Sequence, residues 1–265
     1  MRVLLFGGTG RLGSRCIQAH LAHGHVLTVY VRNTDKLKTM VTPAVINSLE
    51  AVVAGDATDS VAIKKAIEEH NIEAIVDVAG NQVLPWKEFV LSKIAKAVTD
   101  AAVAVGKERG KPIRVWLITW PGELKLSGSE NALEDFFPMA AAQHVATAEV
   151  VKAIPVSDLK WSLLCVAWMY DAPPKQNALD LLPSPRHHTL TVQSSVLPGW
   201  KWSFLSNLPY VGGFFKRFEV WLNTILEYGA YYEDVADLLA EDLESGDDSR
   251  VGKLVGYKQM GAKST

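Results

Sequence analysis

The sequence predicts an α/β fold, a doubly wound parallel sheet with a small C-terminal cap. Three observations carry this expectation. Short β-rich runs alternate with longer helical patterns over the first two-thirds of the chain. A glycine-rich turn joins the first strand to the first helix. After Val166 the alternation stops and aromatic residues accumulate.

The elements follow in order. Val3 to Phe6 is a strand, and Leu12, Cys16, Ile17 and Leu21 give a helical stripe that Gly24 can stop. Val26 to Val31 is the second strand, ended by the polar turn Arg32-Asn33-Thr34. Val52 to Ala54 is a third strand, after which Asp59 can cap a helix with Ile63, Ala66 and Ile67 on its apolar face. Ala74 to Ala79 is the fourth strand. A long helix follows through Leu91, Ile94, Ala95, Val98, Ala102 and Val105, closed by Gly106 and Gly110. Val115 to Ile118 is a fifth strand, Ala140 to Ile154 a helix, and Trp161 to Val166 a sixth strand. Strands alternating with helices imply parallel pairing with right-handed crossovers.

Beyond this core, Ala172 to Pro185 reads as a proline-punctuated loop, and Pro198 to Phe218 as cap. Tyr231 to Leu243 returns to helix, Val251 to Tyr257 is a last strand at the sheet edge, and residues 261–265 form a frayed tail. The expected organisation is one domain over 1–265: a core to 166, a cap over 167–230, then a helix and strand over 231–265. Lys and Arg number 27 against 29 Asp and Glu, a net charge of −2, which favours neither nucleic acid nor an anionic membrane as bulk partner. Cys16 and Cys165 have no paired spacing, so no zinc ribbon or disulfide framework is written here. The first residues are too short an apolar run for a signal peptide, and no stretch approaches the ~20 apolar residues of a membrane helix. A cytoplasmic location is expected.

Gly7-Gly8-Thr9-Gly10-Arg11-Leu12-Gly13 satisfies G-x-G-x-x-G between a strand and a helix, the context in which it binds a dinucleotide and the fold is of the Rossmann type. One glycine makes the tight turn, one admits backbone close to a pyrophosphate, and one lets helix and strand pack. The helix N-terminus adds amide donors and a positive dipole. Arg32 stands 22 residues beyond Gly10, where an NAD site carries Asp or Glu on the ribose 2′-hydroxyl. A guanidinium there pairs with a 2′-phosphate, so NADP is expected over NAD. The alternative for Arg32 is a solvated surface charge, and Lys36 is either a helper or an ordinary helix-surface cation. Asp56, with Ala57 beside it, is placed to accept from an adenine amino group, and Ala79-Gly80-Asn81 to pass beneath a ribose. Asp56 and Gly80-Asn81 serve equally well as turn formers.

These residues, with Val31-Arg32, Gly55-Asp56-Ala57-Thr58-Asp59 and the late Glu233-Asp234-Val235-Ala236 helix, resemble the atypical short-chain dehydrogenase/reductases, in particular their NmrA-like NAD(P)H-binding branch. The resemblance implies a Rossmann core, a pyridine nucleotide and a small C-terminal substrate region. Family members include quinone and enone reductases, tailoring enzymes of polyketide pathways and nucleotide-sensing regulators. The chain departs from the pattern at the family's Tyr-x-x-x-Lys pair. Tyr30, Tyr170, Tyr210, Tyr228, Tyr231, Tyr232 and Tyr257 are followed four positions on by Thr, Pro, Phe, Tyr, Val, Ala and Gly.

For acid–base work this leaves His144, near the usual proton-donor position, with Thr119 at the end of the fifth strand as its hydrogen-bond partner. The plainer alternatives are a His that packs its helix and a Thr that ends a strand. Glu149 and Lys152 read as a solvated pair. Trp120, Trp168 and Tyr170 follow the fifth and sixth strands and are expected to rim the substrate site, whereas Trp116 and Trp161 belong to the core. His187-His188 lacks further ligands at metal spacing, so no metal is expected. The expected function is an NADPH-dependent oxidoreductase acting on a quinone-like or polycyclic aromatic carbonyl, in secondary metabolism. Two alternatives stand beside it: a nucleotide-sensing regulator without turnover, and a non-redox isomerase or cyclase on the same fold. The oligomeric state is open.

Overall fold

The computed structural model describes residues 1–80, 90–127, 129–136, 142–172, 187–204, 206 and 212–260. The expected proline-punctuated loop from 173 onward, Asn81 and the 261–265 tail lie outside these residues.

The core strands are β1 (Arg2–Phe6), β2 (Val26–Val31), β3 (Ala51–Ala54), β4 (Ala74–Asp77) and β5 (Arg114–Thr119). A two-residue strand β6 (Lys125–Leu126) precedes β7 (Lys160–Cys165). Between them run α1 (Arg11–Ala22), α2 (Thr34–Met40), α3 (Pro43–Ser48), α4 (Ser60–Glu69), α5 (Leu91–Arg109) and α6 (Ala142–Lys152). The C-terminal part holds β8 (Trp168–Tyr170), β9 (Leu190–Ser194), β10 (Val196–Leu197), α7 (Gly212–Glu227), β11 (Gly229–Tyr231), α8 (Tyr232–Ser245) and β12 (Lys253–Gln259).

The main sheet runs β3-β2-β1-β4-β5-β7-β12-β9 and is parallel except for β9, which pairs antiparallel with β12. The doubly wound sheet is therefore as expected. The strand order reverses between β1 and β4, and at such a switch point a crevice opens at the carboxyl ends of the strands. Several boundaries differ from the sequence reading for local reasons. The last strand lies inside the edge, because β9, hidden in the post-core region, pairs outside it. Gly106 does not close α5. The helix runs to Arg109 and ends on Gly110, at φ +62°, while Gly106 leaves room for the Lys111–Pro112 backbone. Strand β4 stops at Asp77, whose carboxylate accepts from the Ala79 amide at 3.0 Å and turns the chain out of the sheet. Short helices α2 and α3 carry no long stripe and start on Asn33 and Thr42, which accept from the Lys36 and Val45 amides.

Alternation along the strands sends side chains to two layers. Val3, Leu5, Val29 and Val76 pack with Cys16, Ile17, Val235 and Leu239 on the side of α1 and α8. Leu4, Phe6, Ile75, Val115 and Leu117 pack with Ile63, Ile67, Ile94 and Val98 on the side of α4 and α5. At the amino ends of the strands α8 is fixed by charge. The buried Asp242 accepts from Arg114 at 2.9 Å, Trp116 Nε1 at 2.8 Å and Arg250 at 2.7 Å, and the Arg114 guanidinium lies over the Trp116 ring. Farther along, His23 bridges Asp237 at 3.0 Å and Glu244 at 2.5 Å, holding α1 to α8.

Removing the carboxylate at 242 leaves two guanidinium groups without their shared counter-charge. Asp242→Ala is therefore expected to cost about 3–5 kcal/mol of stability. Chemical denaturation with a midpoint unchanged from that of the parent chain would show that the network is not stabilising.

Candidate nucleotide-binding site

The glycine turn is built from contacts in which no Cβ fits. Gly7 takes φ +81°, and a Cβ there would lie 2.7 Å from both the Val78 carbonyl and the Ala79 amide nitrogen. A Cβ on Gly13 would lie 2.0 Å from the Gly7 oxygen, and one on Gly8 2.6 Å from Val29 Cγ1. The turn closes through the Gly10 amide donating to the Gly7 carbonyl at 2.8 Å. Helix α1 then starts on Gly10 with no side-chain cap, whereas α4 starts on Asp59, which accepts from the Val61 and Ala62 amides. The uncapped start of α1 keeps its first amides available to an anion.

A cavity of about 310 Å³ opens at the carboxyl ends of β1 to β4. Gly7, Thr9 and Gly10 line one part; Arg32 and Lys36 another; Gly55, Asp56, Ala57, Ala79 and Gly80 the rest, with apolar surface from Phe6, Val78 and Ile94. Of the sequence-predicted cofactor residues, eight thus share this lining: Gly7, Thr9, Gly10, Arg32, Asp56, Ala57, Ala79 and Gly80. Gly8 and Gly13 instead serve the packing behind the turn, Leu12 is buried in the core, and Arg11 faces solvent.

Two features of this cavity were invisible in the sequence. Tyr30 passes its ring across Gly55, whose absent Cβ would lie 2.0 Å from the phenol oxygen, and lies tilted against the Phe6 ring with centroids 4.9 Å apart. The Asp56 carboxylate accepts from the Thr58 amide and hydroxyl, both at 2.8 Å and both on Oδ1, which lowers its pKa. Lys36 joins Arg32 because α2 begins directly after the turn at the end of β2.

The predicted acid–base pair lies in a smaller recess. Thr119, Trp120, Gly122, Glu123, Glu134, His144 and Val145 line a space of about 10 Å³, the size of one water molecule. Leu117 is the register partner of Asp77, so Thr119, two residues on, ends the strand next to the one that walls the cavity. The Thr119 hydroxyl donates to the His144 carbonyl at 3.3 Å, tying β5 to α6. Burial lowers the His144 pKa, and among the described residues its buried Nδ1 and the Trp120 Nε1 have no hydrogen-bond partner. Burial, with the nearby Glu123 and Asp135 carboxylates, raises the pKa of Glu134. Lys152, read as a partner of Glu149, pairs with Glu123.

Trp168 and Tyr170 line neither space. They share the outer face of β8, a short ribbon paired with β11, and are 47% and 50% exposed, while Met169 packs inward. His187 and His188 precede β9 and both approach Glu241, at 3.1 and 3.7 Å. Among the described residues, no helix is long and apolar enough to cross a membrane.

A family model described as NAD(P)H-binding matches residues 7–194. The chain belongs to this NAD(P)H-binding family. Its cofactor is a nicotinamide dinucleotide, and the glycine turn, uncapped helix and cationic strand end fit such a group. No curated protein matches the sequence. Among solved structures, a wide-type short-chain dehydrogenase/reductase from Veillonella parvula in complex with NADP is similar at TM-score 0.60 and 14% identity, covering 98% of this chain and 95% of that one. An oxidoreductase from Lactococcus lactis is similar at TM-score 0.55 and 15% identity, over 98% and 91%. A protein from Lactobacillus casei gives TM-score 0.61 and 12% identity, over 98% and 99%. The resemblance to atypical short-chain dehydrogenase/reductases is thereby borne out in fold and cofactor class.

Gly13→Ala is expected to lose about 3 kcal/mol of stability through backbone overlap with Gly7. It should also lose most NADPH affinity in a fluorescence titration; a variant that keeps both would contradict the packing described.

Proposed function

We propose that the chain is an NADPH-dependent oxidoreductase acting on a flat aromatic carbonyl of quinone-like or polycyclic type. The observation that carries the nucleotide preference is the presence of Arg32 and Lys36 on the same cavity as the glycine turn, with no carboxylate at the end of β2. A 2′-phosphate gains a bidentate partner from Arg32 and a second cation from Lys36. The first amides of α1 hold the pyrophosphate, and the Val78-Ala79-Gly80 backbone walls the adenosine side.

When bound, the cofactor supplies a hydride. The chain's own part is to bind, orient and protonate. His144 delivers a proton to the substrate oxygen, and Thr119 positions it by holding the α6 backbone. Trp120 rims the substrate, and Trp168 and Tyr170 form an outer aromatic face for it. A quinone suits this sparse equipment, because its product oxyanion is delocalised and a single proton donor suffices without the Tyr/Lys pair. The aromatic row of Phe136 with Trp202, Trp200 and Tyr228 of the cap, with ring centroids 5.5 to 5.9 Å apart, suits an apolar substrate region. One observation favours a second reading, a nucleotide-sensing regulator: the Thr119 hydroxyl is already engaged by the α6 backbone. Nucleotide binding without consumption over a panel of quinones would decide for it.

Arg32→Ala is expected to weaken NADPH about tenfold or more while leaving NADH within a factor of two. An equal loss for both nucleotides refutes the 2′-phosphate assignment. His144→Ala should lower kcat about 10²-fold with NADPH affinity unchanged. Because burial disfavours the imidazolium, the parent rate should fall as pH rises through a value below the ordinary 6.5. A variant with parental kcat removes His144 from the chemistry.

A further inference from the structure

Strand β4 ends on an acid where its neighbours are apolar. Asp77 is 6% exposed, flanked in register by Phe6 of β1 and Leu117 of β5. Its Oδ1 accepts from the Ala79 amide, and this peptide is the one packed against Gly7. The carboxyl therefore lies directly behind the wall that Val78, Ala79 and Gly80 present to the nucleotide cavity.

Among the described residues no cation compensates it. The strand neighbours carry their charges at the opposite ends, Arg2 on β1 and Arg114 on β5. In the helical layer over this face α5 turns Lys93, Lys96 and Asp100 to solvent and buries Ile94, Ala95 and Val98. Helix α4 buries Ile63, Ala66 and Ile67, and its Lys64 pairs with Glu68 and Glu108. Burial alone raises the carboxyl, to about 7, against the lowering by the Ala79 amide. A dinucleotide brings at least two further negative charges into the cavity in front of this wall. In a partly desolvated site, like charges disfavour ionisation of the nearby acid.

We propose that Asp77 is a positioning residue of the nucleotide site: its carboxyl sets the β4 exit against the glycine turn and takes up a proton when an anionic nucleotide occupies the cavity. This rests on nucleotide binding at this cavity and not on the reaction proposed above. Protonated or ionised, the carboxyl keeps an oxygen that accepts from the Ala79 amide, so the wall stays in place while the charge behind it is removed. The sign follows from linkage. An anion that raises the pKa of Asp77 binds with proton uptake, and its affinity falls as pH rises through that range. Among the described residues that line the cavity there is no histidine or cysteine to titrate near neutrality.

The test is calorimetric titration with NADPH at pH 7.5 in buffers of different ionisation heat, on the parent chain and on Asp77→Asn. For a one-unit rise the parent chain should take up roughly half a proton more per nucleotide than the variant. Between pH 6 and 9 its affinity should fall up to about tenfold relative to that variant. The titrating 2′-phosphate of NADPH is common to both and cancels. Equal proton uptake by the two proteins overturns the proposal while leaving nucleotide binding intact. Absence of binding by the parent chain overturns both. Should the variant not fold, NADH titrations of the parent chain over the same pH range serve instead, since NADH lacks the 2′-phosphate. Affinity independent of pH then overturns the proposal, and affinity that falls supports it.

Discussion

Two stretches of backbone touch at the centre of this molecule, and most of the site follows from that contact. Gly7 meets the Val78–Ala79 peptide, and Gly13 meets Gly7, at separations that leave no volume for a Cβ. The contact brings the exit of β4 beside the start of α1 at the place where the sheet order reverses. A crevice at such a reversal exists in any doubly wound sheet. What suits this one to a dinucleotide is that the glycine turn and the β4 exit meet peptide against peptide, with the first amides of α1 left uncapped.

The surrounding charges divide by distance from that floor. Arg32 and Lys36 line the cavity as exposed side chains, where a cation keeps its hydration. Asp56 spends one carboxylate oxygen on its own turn, which orients the other side of the cavity without adding a mobile charge. At the opposite end of the sheet, Asp242 gathers Arg114, Arg250 and Trp116 and anchors α8 across the strand starts. The two ends are thus specialised: buried and fully paired charge for stability below, open cationic and amide groups for binding above.

Much of this was legible in the sequence because it depends on local spacing. The glycine turn, Arg32 after the second strand, Asp59 as a cap and the alternation of strands all announce themselves within a few residues. What escaped depends on partners distant in the chain. Strand β9 pairs with β12 across more than fifty residues, so neither looked like an internal pair. Gly55 gives no hint that Tyr30 will lie across it, and Lys152 reads as a partner of Glu149 until Glu123 arrives from another loop. Trp168 and Tyr170 follow the sixth strand, as a rim should, but the pleat of β8 turns both to the same outer face. Asp77 left one sign, a lone acid in an apolar strand, whose meaning depends on the Ala79 amide and the glycine turn beyond it.

The central claim is that the peptide floor formed by the glycine turn and the β4 exit holds the dinucleotide. Amide hydrogen exchange, with and without saturating NADPH, tests it most directly. The account predicts slowed exchange concentrated in residues 9–13 and 79–80, with the Asp242 region at the far end of the sheet unchanged. Protection absent from residues 9–13, or centred on that far end, would contradict it.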